Sequence, residues 1–358
     1  MQKILVTGAA GFIGHHLVSK LIGEGHLVWG IDNINDYYDV NLKYARLAEN
    51  GIIKEVIDWQ KPVRSVKFDN YQFIRMDLND NAELMSLCET NQFNTIINLA
   101  AQAGVRYSIV NPYAYIQSNV SGFLNVLEAC RNFGVQHLIY ASSSSVYGLN
   151  TAQPFSASHA VNHPVSLYAA TKKANELMAH SYSHLYKIPT TGLRFFTVYG
   201  PWGRPDMAYF SFADDIVNNK TIKVFNHGNM KRDFTYIDDV ISGIVNLIDH
   251  KAMPDPDWKN ETPDPSSSSA PYHVYNIGNN APVELMTFIN NLEKALERKA
   301  NIEFMDMQPG DVLSTWADVD DLMNAVGYTP HTKLDEGILR FIEWYKEHYQ
   351  IGVDTANN

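Results

Sequence analysis

Short apolar runs alternate, over the first 200 residues, with stretches in which apolar residues recur at helical spacing. Residues 4–6 and 27–31 form runs typical of strands buried on both faces. Between them, Ile13, Leu17 and Leu21 recur at the spacing of one helix face. Further strands are predicted at residues 71–76, 95–99, 137–141 and 190–195, and further helices at 116–133 and 168–186. This alternation predicts an α/β fold with a doubly wound parallel sheet.

The pattern is less regular after about residue 200. Helices are predicted at residues 210–219 and 237–250, and a strand at 222–225. Residues 254–271 are rich in Pro, Ser and Asp, which indicates a surface loop. The pattern does not place residues 36–70. We expect a large domain over residues 1–200 and a smaller, mixed α/β lobe over residues 201–358, from which some elements return to the first domain.

Composition and charge narrow the classes of function. The chain has 39 acidic and 28 basic residues, a net charge of −11, and therefore lacks the basic surface typical of proteins that bind nucleic acid or anionic membranes. No apolar run approaches the roughly 20 residues of a membrane span. Cys88 and Cys130 are too few for a disulfide scaffold, and the N-terminus enters a strand at once, which leaves no room for a signal peptide. We expect a cytoplasmic protein.

Three glycines fill the turn between the first strand and the first helix. Gly8, Gly11 and Gly14 allow backbone N–H groups to approach a pyrophosphate at the helix N-terminus. Asp32 ends the second strand, where its carboxylate would accept hydrogen bonds from an adenosine ribose and would repel a 2′-phosphate. The turn and the acid together predict a Rossmann domain that binds NAD in preference to NADP.

Residues 132–171 contain no Asp, Glu, Lys or Arg. This segment is polar through neutral side chains, which suits the wall of a site for a polar, uncharged ring. It includes a run of four serines at 142–145 and Tyr168, which lies four residues before Lys172. On a helix, Tyr168 and Lys172 share one face. A phenol with an ordinary pKa of about 10 becomes a useful base when a nearby ammonium group favours the phenolate.

The glycine spacing G-x-x-G-x-x-G, the Tyr-x-x-x-Lys pair and the serine run beyond a strand resemble the extended short-chain dehydrogenase/reductase family. The resemblance implies that Ser143, Tyr168 and Lys172 are catalytic. Within that family, the segments 98–107, 194–207 and 232–240 resemble the UDP-glucuronate 4-epimerases. The family's dehydratases carry an Asp-Glu pair, and its UDP-glucuronate decarboxylases a Glu, at the place of Ser144 and Ser145. Without that acid, the expected cycle is oxidation of the sugar and reduction on its other face.

The resemblance also implies roles for individual residues. Arg232 would bind the UDP diphosphate, Asp311 the uridine ribose, and Thr197 and Arg204 the sugar carboxylate, while Ser145 would contact the sugar. The expected cofactor-binding residues are Gly8, Gly11, Phe12, Ile13, Gly14, Asp32, Asn33, Asp77, Leu78, Ala100, Asn119, Tyr168 and Lys172. Asn98 departs from the His of many relatives, and Gln308 stands where some relatives have Arg. The histidines and cysteines show no metal-ligand spacing, so no catalytic metal is expected.

Other functions remain open at this point. A UDP-glucose/galactose 4-epimerase would use the same chemistry on a neutral sugar, and a UDP-glucuronate decarboxylase would need the acid that Ser145 replaces. A non-catalytic, NAD-sensing module is also compatible with the fold, although a sensor needs no Tyr168 base. The helices at 116–133 and 168–186 resemble the pair that forms a dimer interface in relatives, which favours a homodimer. The expected partner is a UDP-sugar.

Overall fold

Strands and helices alternate along most of the chain, in a computed structural model that describes residues 1–307 and 313–351. The strands are β1 (Lys3–Thr7), β2 (Leu27–Asp32), β3 (Pro62–Arg64), β4 (Tyr71–Arg75), β5 (Thr95–Asn98), β6 (His137–Ser143), β7 (Thr190–Phe195), β8 (Thr197–Tyr199), β9 (Thr221–Val224), β10 (Lys231–Tyr236), β11 (Tyr272–Ile277), β12 (Pro282–Glu284) and β13 (Asn301–Phe304).

The helices are α1 (Phe12–Gly23), α2 (Val40–Glu49), α3 (Asn81–Asn91), α4 (Tyr107–Val110), α5 (Pro112–Tyr115), α6 (Gly122–Asn132), α7 (Leu167–Tyr186), α8 (Ala208–Val217), α9 (Ile237–Ile248), α10 (Leu285–Leu296), α11 (Asp320–Val326) and α12 (Leu334–His348). Short 3₁₀ turns lie at Lys54–Val56, Ser144–Tyr147 and Phe225–Gly228, and a π-helical turn lies at Ile116–Ser121. None of the helices in the described ranges is long and apolar enough to cross a membrane.

The large sheet has eight strands in the order β11-β7-β6-β5-β1-β2-β4-β3. Its neighbouring strands are parallel except for β3, which pairs antiparallel with β4 at one edge. The chain runs from β1 outward to β2 and later returns to β5 on the other side of β1. Ligands of such sheets bind at this reversal, at the carboxyl ends of the strands. The doubly wound α/β fold is therefore confirmed.

Two small sheets lie in the later part of the chain. One has the order β12-β10-β8 and the other pairs β13 with β9. β11 pairs with β7 and so brings one later strand into the large sheet. The division of the chain at residue 200 stays a prediction. Both parts contribute to one hydrophobic cluster, in which α1 contacts α9 and which includes Leu17 of α1 and Ile244 of α9.

Three segments differ from the sequence-based prediction. A π-helical turn interrupts the helix predicted at 116–133, where the Asn175 side chain donates a hydrogen bond to the buried carbonyl of Asn119. Residues 36–70, which the pattern did not place, form α2, a 3₁₀ turn and β3. The surface loop predicted for residues 254–271 is wrong near its C-terminal end, where Ser266–Ser268 are buried. One of these serines, Ser268, forms a hydrogen bond with His180.

Candidate active site

A cavity of about 980 Å³ extends along the carboxyl ends of the central parallel strands. It runs from the glycine turn after β1, past the serine run after β6, to the loops around β8 and β10. Most of the predicted site residues line it, namely Gly8, Gly11, Phe12, Ile13, Gly14, Asp32, Asn33, Asp77, Leu78, Ala100, Ser143, Ser145, Tyr168, Lys172, Thr197, Arg204 and Arg232. Asn119 is buried outside this lining. Asp311 and Gln308 lie outside the described residues.

The glycine turn fits the pyrophosphate of a dinucleotide. Gly8 has a φ of +72°, and a Cβ on Gly14 would come within 2.0 Å of the Gly8 carbonyl oxygen, so larger residues fit at neither position. No side-chain hydrogen bond caps α1 at Gly11. The first amides of the helix are therefore placed for an anion in the cavity. Asp32 is held by hydrogen bonds from the backbone N–H groups of Ala10 (3.1 Å) and Ile34 (2.8 Å).

Lys43 is a site residue that the sequence analysis missed. It lines the same cavity and donates from Nζ to the backbone and side-chain oxygens of Asn35, at 2.7 and 2.8 Å. Burial lowers the pKa of Lys43, and the charge of Asp32 acts in the opposite direction. A cation this close to Asp32 reduces the repulsion that its carboxylate alone would exert on a 2′-phosphate. Lys43 lies on α2, in the segment whose structure the apolar pattern did not reveal.

The residues predicted to be catalytic meet between β6 and the start of α7. Ser166 caps α7 by accepting a hydrogen bond from the N–H of Ala169 at 3.1 Å. Tyr168 therefore lies in the first turn of α7, and Lys172 one turn later on the same face. Ser143 ends β6 and forms a short hydroxyl–hydroxyl bond with Ser145. Ser143, Ser145 and Tyr168 all line the same cavity.

Burial shifts the pKa values of both titratable members of this set. It raises the pKa of the Tyr168 phenol, while the hydrogen bond with Ser143 and the charge of Arg204 act to lower it. Burial lowers the pKa of Lys172 to about 8. The Lys172 ammonium donates to the backbone oxygen of Ala141 at 2.9 Å. Burial therefore favours the neutral forms of both Tyr168 and Lys172, an effect that the sequence analysis did not include.

A buried ion pair holds the first serine of the run, Ser142, in place. The Arg194 guanidinium bonds the Glu176 carboxylate through two nitrogens, at 2.9 and 3.0 Å. Glu176 in turn accepts a hydrogen bond from Ser142 at 2.7 Å. Arg194 lowers the pKa of Glu176 against the effect of burial, so the carboxylate stays charged. Since Glu176 lies on α7 and Arg194 on β7, the pair fixes Ser142 relative to the helix that carries Tyr168.

Arg204 enters the cavity from the opposite side and already has an acidic partner. Its Nε lies 2.9 Å from Asp206 Oδ1, and Nη2 bonds the other carboxylate oxygen. The Tyr37 hydroxyl donates to the same carboxylate at 3.1 Å. Burial alone would raise the pKa of Asp206, but Arg204 holds it below its usual value. A guanidinium has five donors, so a second carboxylate can still bind through Nη1.

The small sheets position the remaining substrate-side residues. Thr197 begins β8 and lies opposite Phe234 of β10, two residues after Arg232. Arg232 donates from Nη1 to the carbonyl of Lys231 at 2.8 Å. Both Thr197 and Arg232 line the cavity. The small sheet β12-β10-β8 therefore supplies part of the cavity wall.

Asn119 and Asn98 do not line the cavity and instead form hydrogen bonds within the protein. Asn119 accepts from the N–H of Gln102 at 2.8 Å and donates to the Gln102 carbonyl and to Thr171, both at 3.0 Å. It ties the loop after β5 to α7. Asn98 accepts a hydrogen bond from Thr7 at 2.7 Å, directly beneath the glycine turn.

Histidines and acids form no cluster that could hold a metal ion within residues 1–307 and 313–351. His16 is half-buried on α1, where its Nε2 donates to the carbonyl of Pro201 at 3.0 Å and desolvation lowers its pKa to about 4. His15 is buried, and its pKa is lowered by burial. Both rings are neutral packing groups at physiological pH.

The comparisons with known proteins identify the family of the chain. Residues 4–278 match the model of the NAD dependent epimerase/dehydratase family. Protein CapI of Staphylococcus aureus is 54% identical over 98% of this chain and 100% of its own length. The probable UDP-glucuronate 4-epimerase of Rhizobium meliloti is 45% identical over 98% of each chain.

A solved structure shares the architecture over nearly the whole chain. UDP-glucuronic acid 4-epimerase from Bacillus cereus, in complex with UDP-glucuronic acid and NAD, superposes with a TM-score of 0.79 at 31% identity. The match covers 97% of this chain and 100% of that one. From its sequence match and its structure, the chain belongs to the NAD-dependent epimerase/dehydratase family.

Proposed function

We propose that the protein is an NAD-dependent UDP-glucuronate 4-epimerase, which converts UDP-glucuronate to UDP-galacturonate through a transient 4-keto sugar. The observation that carries this proposal is the composition of the cavity wall. Tyr168, Ser143 and Lys172 stand at one side, serines occupy positions 144 and 145, and the Arg204 guanidinium lies in the same cavity. That wall supplies a base and a carboxylate partner, and its positions 144 and 145 hold no acid for decarboxylation or dehydration. Names and ligands of several relatives support the same substrate.

The cofactor contacts follow from the glycine turn. Gly8, Gly11 and the first amides of α1 would hold the pyrophosphate, and Asp32 the adenosine ribose. Lys172 would hold the nicotinamide ribose. When bound there, NAD supplies the group that accepts the hydride from the sugar and returns it.

Tyr168 performs the proton transfer. As the phenolate, it removes the proton of the sugar 4-hydroxyl while the hydride leaves C4. Ser143 donates a hydrogen bond to the reacting oxygen and favours the phenolate of Tyr168. After the 4-keto sugar turns over, the hydride returns to its other face and Tyr168 gives the proton back. Oxidation and reduction balance within one cycle, so the enzyme needs no further oxidant.

The substrate-side residues hold the sugar nucleotide. Arg232 would bind the diphosphate, because a guanidinium fork matches phosphate oxygens, and Asp311 the uridine ribose. Thr197 and Arg204 would bind the sugar carboxylate, and Ser145 the same end of the sugar. The 4-keto intermediate is a β-keto acid, which loses CO₂ readily. A firmly held carboxylate therefore protects the intermediate as well as selecting the substrate.

Product analysis tests this function directly. The purified protein is incubated separately with UDP-glucuronate and UDP-glucose, and the products are identified by chromatography and mass spectrometry. We expect UDP-galacturonate from the acid sugar and at most traces of UDP-pentose. Stoichiometric release of CO₂ would establish a decarboxylase instead.

A second candidate is a UDP-glucose/galactose 4-epimerase. The ion pair between Arg204 and Asp206 favours it, because the carboxylate of Asp206 already balances the charge that an acid sugar would use. The same incubation separates the two functions, since this candidate predicts faster turnover of UDP-glucose than of UDP-glucuronate.

We propose further that the enzyme is a cytoplasmic homodimer. Apolar side chains that are at least 40% exposed follow the outer face of the helices before β6 and of α7, namely Ile109, Val110, Tyr113, Ile116, Leu124, Leu177 and Leu185. A contiguous apolar face of this kind is typical of a protein–protein interface. The two buried, unpaired thiols of Cys88 and Cys130 suit a reducing compartment.

A further inference from the structure

Arg46 is a fully buried cation whose hydrogen bonds all go to neutral oxygens. From α2 it donates to the carbonyl of Ala10 at 3.0 Å and to the Tyr38 hydroxyl at 2.6 Å. It also bonds the carbonyl of Trp202 through two nitrogens, at 3.0 and 2.7 Å, and that of Gly203 at 3.0 Å. Burying a charge is costly unless its donors are satisfied. These hydrogen bonds satisfy the donors of Arg46, whose charge lies between two loops of the cavity.

The first of these loops is the glycine turn. Ala10 lies between Gly8 and Gly11, in the turn that would hold the cofactor pyrophosphate. Its carbonyl accepts from Arg46, while its N–H donates to Asp32 at 3.1 Å. Asp32 and Arg46 thus hold the peptide groups before and after Ala10, respectively. Arg46 itself is not part of the cavity lining.

The second loop holds a strained backbone directly before Arg204. Trp202 has a φ of +61°, in the left-handed region that bulky side chains rarely adopt. A Cβ on Gly203 would lie within 1.8 Å of the Tyr209 hydroxyl, so the chain has little freedom there. Such a conformation persists only where the surroundings hold it, and it is common at functional sites.

Several groups besides Arg46 hold this loop. His16 donates to the Pro201 carbonyl at 3.0 Å. The Trp202 ring packs against His15, Trp344 and His348, with centroid distances of 5.5, 5.1 and 4.9 Å. These contacts hold the ring and the first carbonyl of the loop. Arg46 alone among them also contacts the peptide between Gly203 and Arg204 and the glycine turn.

We propose that Arg46 is a positioning residue that locks the glycine turn to the loop carrying Arg204. This inference rests on the proposed function, in which the turn holds the cofactor and Arg204 the sugar carboxylate. Each hydride transfer requires the sugar C4 to be aligned closely with the cofactor, and a misplacement of about 1 Å costs roughly 100-fold in rate. Arg46 touches neither ligand and acts through the backbone of both loops.

A double-mutant cycle between Arg46 and Arg204 tests this role. The variants are Arg46→Met, Arg204→Leu and the double variant, each measured for kcat and KM with UDP-glucuronate and for the Kd of UDP and UDP-glucuronate by calorimetry. We expect Arg46→Met to lower kcat/KM by about 10- to 100-fold while the Kd of UDP changes little. In the Arg204→Leu background the same substitution should cost much less, because coupled residues are not additive.

Two further variants serve as an intermediate substitution and a matched control. Arg46→Lys keeps the charge but cannot reach four acceptors at once, so its kcat/KM should lie between those of wild type and Arg46→Met. It replaces Arg46→Met in the cycle if that variant does not fold. Arg298→Lys is the matched control, since Arg298 also donates to a backbone carbonyl, that of Val217, at an exposed site. It should leave all constants unchanged.

The outcomes separate this inference from the proposed function. Equal fold-losses from Arg46→Met in both backgrounds would show that Arg46 acts independently of Arg204 and would overturn the proposal. A wild type that leaves UDP-glucuronate unchanged would instead refute the proposed function. The cycle is then read from Kd values of UDP-glucuronate and UDP-glucose, where additivity again overturns the role of Arg46 and non-additivity supports it.

Discussion

At the scale of single residues, burial acts against the charge that each predicted catalytic group needs. It raises the pKa of Tyr168 and lowers that of Lys172 to about 8. Only the bond from Ser143 and the charge of Arg204 favour the phenolate. Sequence reasoning assigned that effect to the Lys172 ammonium and an oxidised nicotinamide. The structure instead distributes it over Ser143 and Arg204, which both line the cavity.

The replacement of Tyr168 by Phe removes this base and leaves the ring in place. We expect turnover to fall by roughly 10²–10⁴-fold, which is the usual contribution of a general base. Binding of NAD and UDP should stay close to wild type, because the glycine turn and Arg232 are untouched. Steady-state kinetics and calorimetry measure the two effects. Turnover within a few-fold of wild type would refute the assignment of Tyr168.

The replacement of Lys172 by Met should abolish turnover and yet stabilise the cofactor-stripped protein. The pKa of Lys172 is about 8 in the fold and 10.5 in a free side chain, so the unfolded chain binds the proton more strongly. Wild-type stability therefore rises with pH between about 8 and 10.5, and the penalty is complete below pH 8. After the lost bond to Ala141 is subtracted, the variant should gain about 1–2 kcal/mol at pH 7.

Urea unfolding at pH 7 and pH 10 measures this gain. It should shrink at pH 10, where wild-type Lys172 is mostly neutral in the fold. Lys346→Met is the control, because Lys346 also donates to a carbonyl, that of Ala295, but at a more exposed site. A gain for Lys172→Met that is equal at both pH values would contradict the burial of a charged ammonium.

The replacement of Arg204 by Leu tests the choice between acid and neutral sugar. A hydrogen bond to a charged group contributes roughly 1.5–3 kcal/mol, so kcat/KM for UDP-glucuronate should fall by about 10- to 150-fold. Turnover of UDP-glucose should fall much less. The variant also leaves Asp206 without its cation, which is why both sugars are measured in Arg204→Leu and in Asp206→Asn. Equal losses for both sugars would make Arg204 a scaffold for its loop.

At the scale of elements, the sequence predicts best those strands that are buried on both faces. β7 is found at Thr190–Phe195, the predicted residues, and β5 and β6 differ only at their ends. β5 and β6 carry short apolar runs, at residues 96–97 and 138–141, which are readable without knowing the neighbours. β3 and β8 have three residues each, which is too short for a local pattern to reveal them.

The candidate site divides in the same way. Residues in family motifs, such as Gly8, Tyr168 and Arg204, were found from the sequence and line one cavity. Lys43 and Arg46 were missed, because they lie on α2, whose apolar pattern is weak and whose contacts reach residues far along the chain. Only the folded chain shows that Arg46 meets both Ala10 and Trp202. Positions that act through distant backbone carry no local signal.

At the scale of the whole molecule, the cavity joins the two parts of the chain. The large sheet supplies the glycine turn and Ser143, while a small sheet supplies Thr197 and Arg232. α7 links this site to the outer surface, because Tyr168 and Lys172 lie on its inner face and Leu177 and Leu185 on its outer face, 59% and 64% exposed. The proposed dimer contact would therefore involve the helix that carries Tyr168.

A charge placed on that outer face should separate the dimer. Leu177 and Leu185 lie two helical turns apart and share one stripe of α7, so Leu177→Glu and Leu185→Glu would each place a carboxylate in an apolar contact, which is costly without a partner. We expect light scattering coupled to size-exclusion chromatography to show a wild-type dimer and a monomer for the double variant. Leu339→Glu, at a site 48% exposed on α12, is the control and should remain dimeric. A double variant with the mass of the wild type would exclude this face as the interface, and a monomeric wild type would exclude the dimer itself.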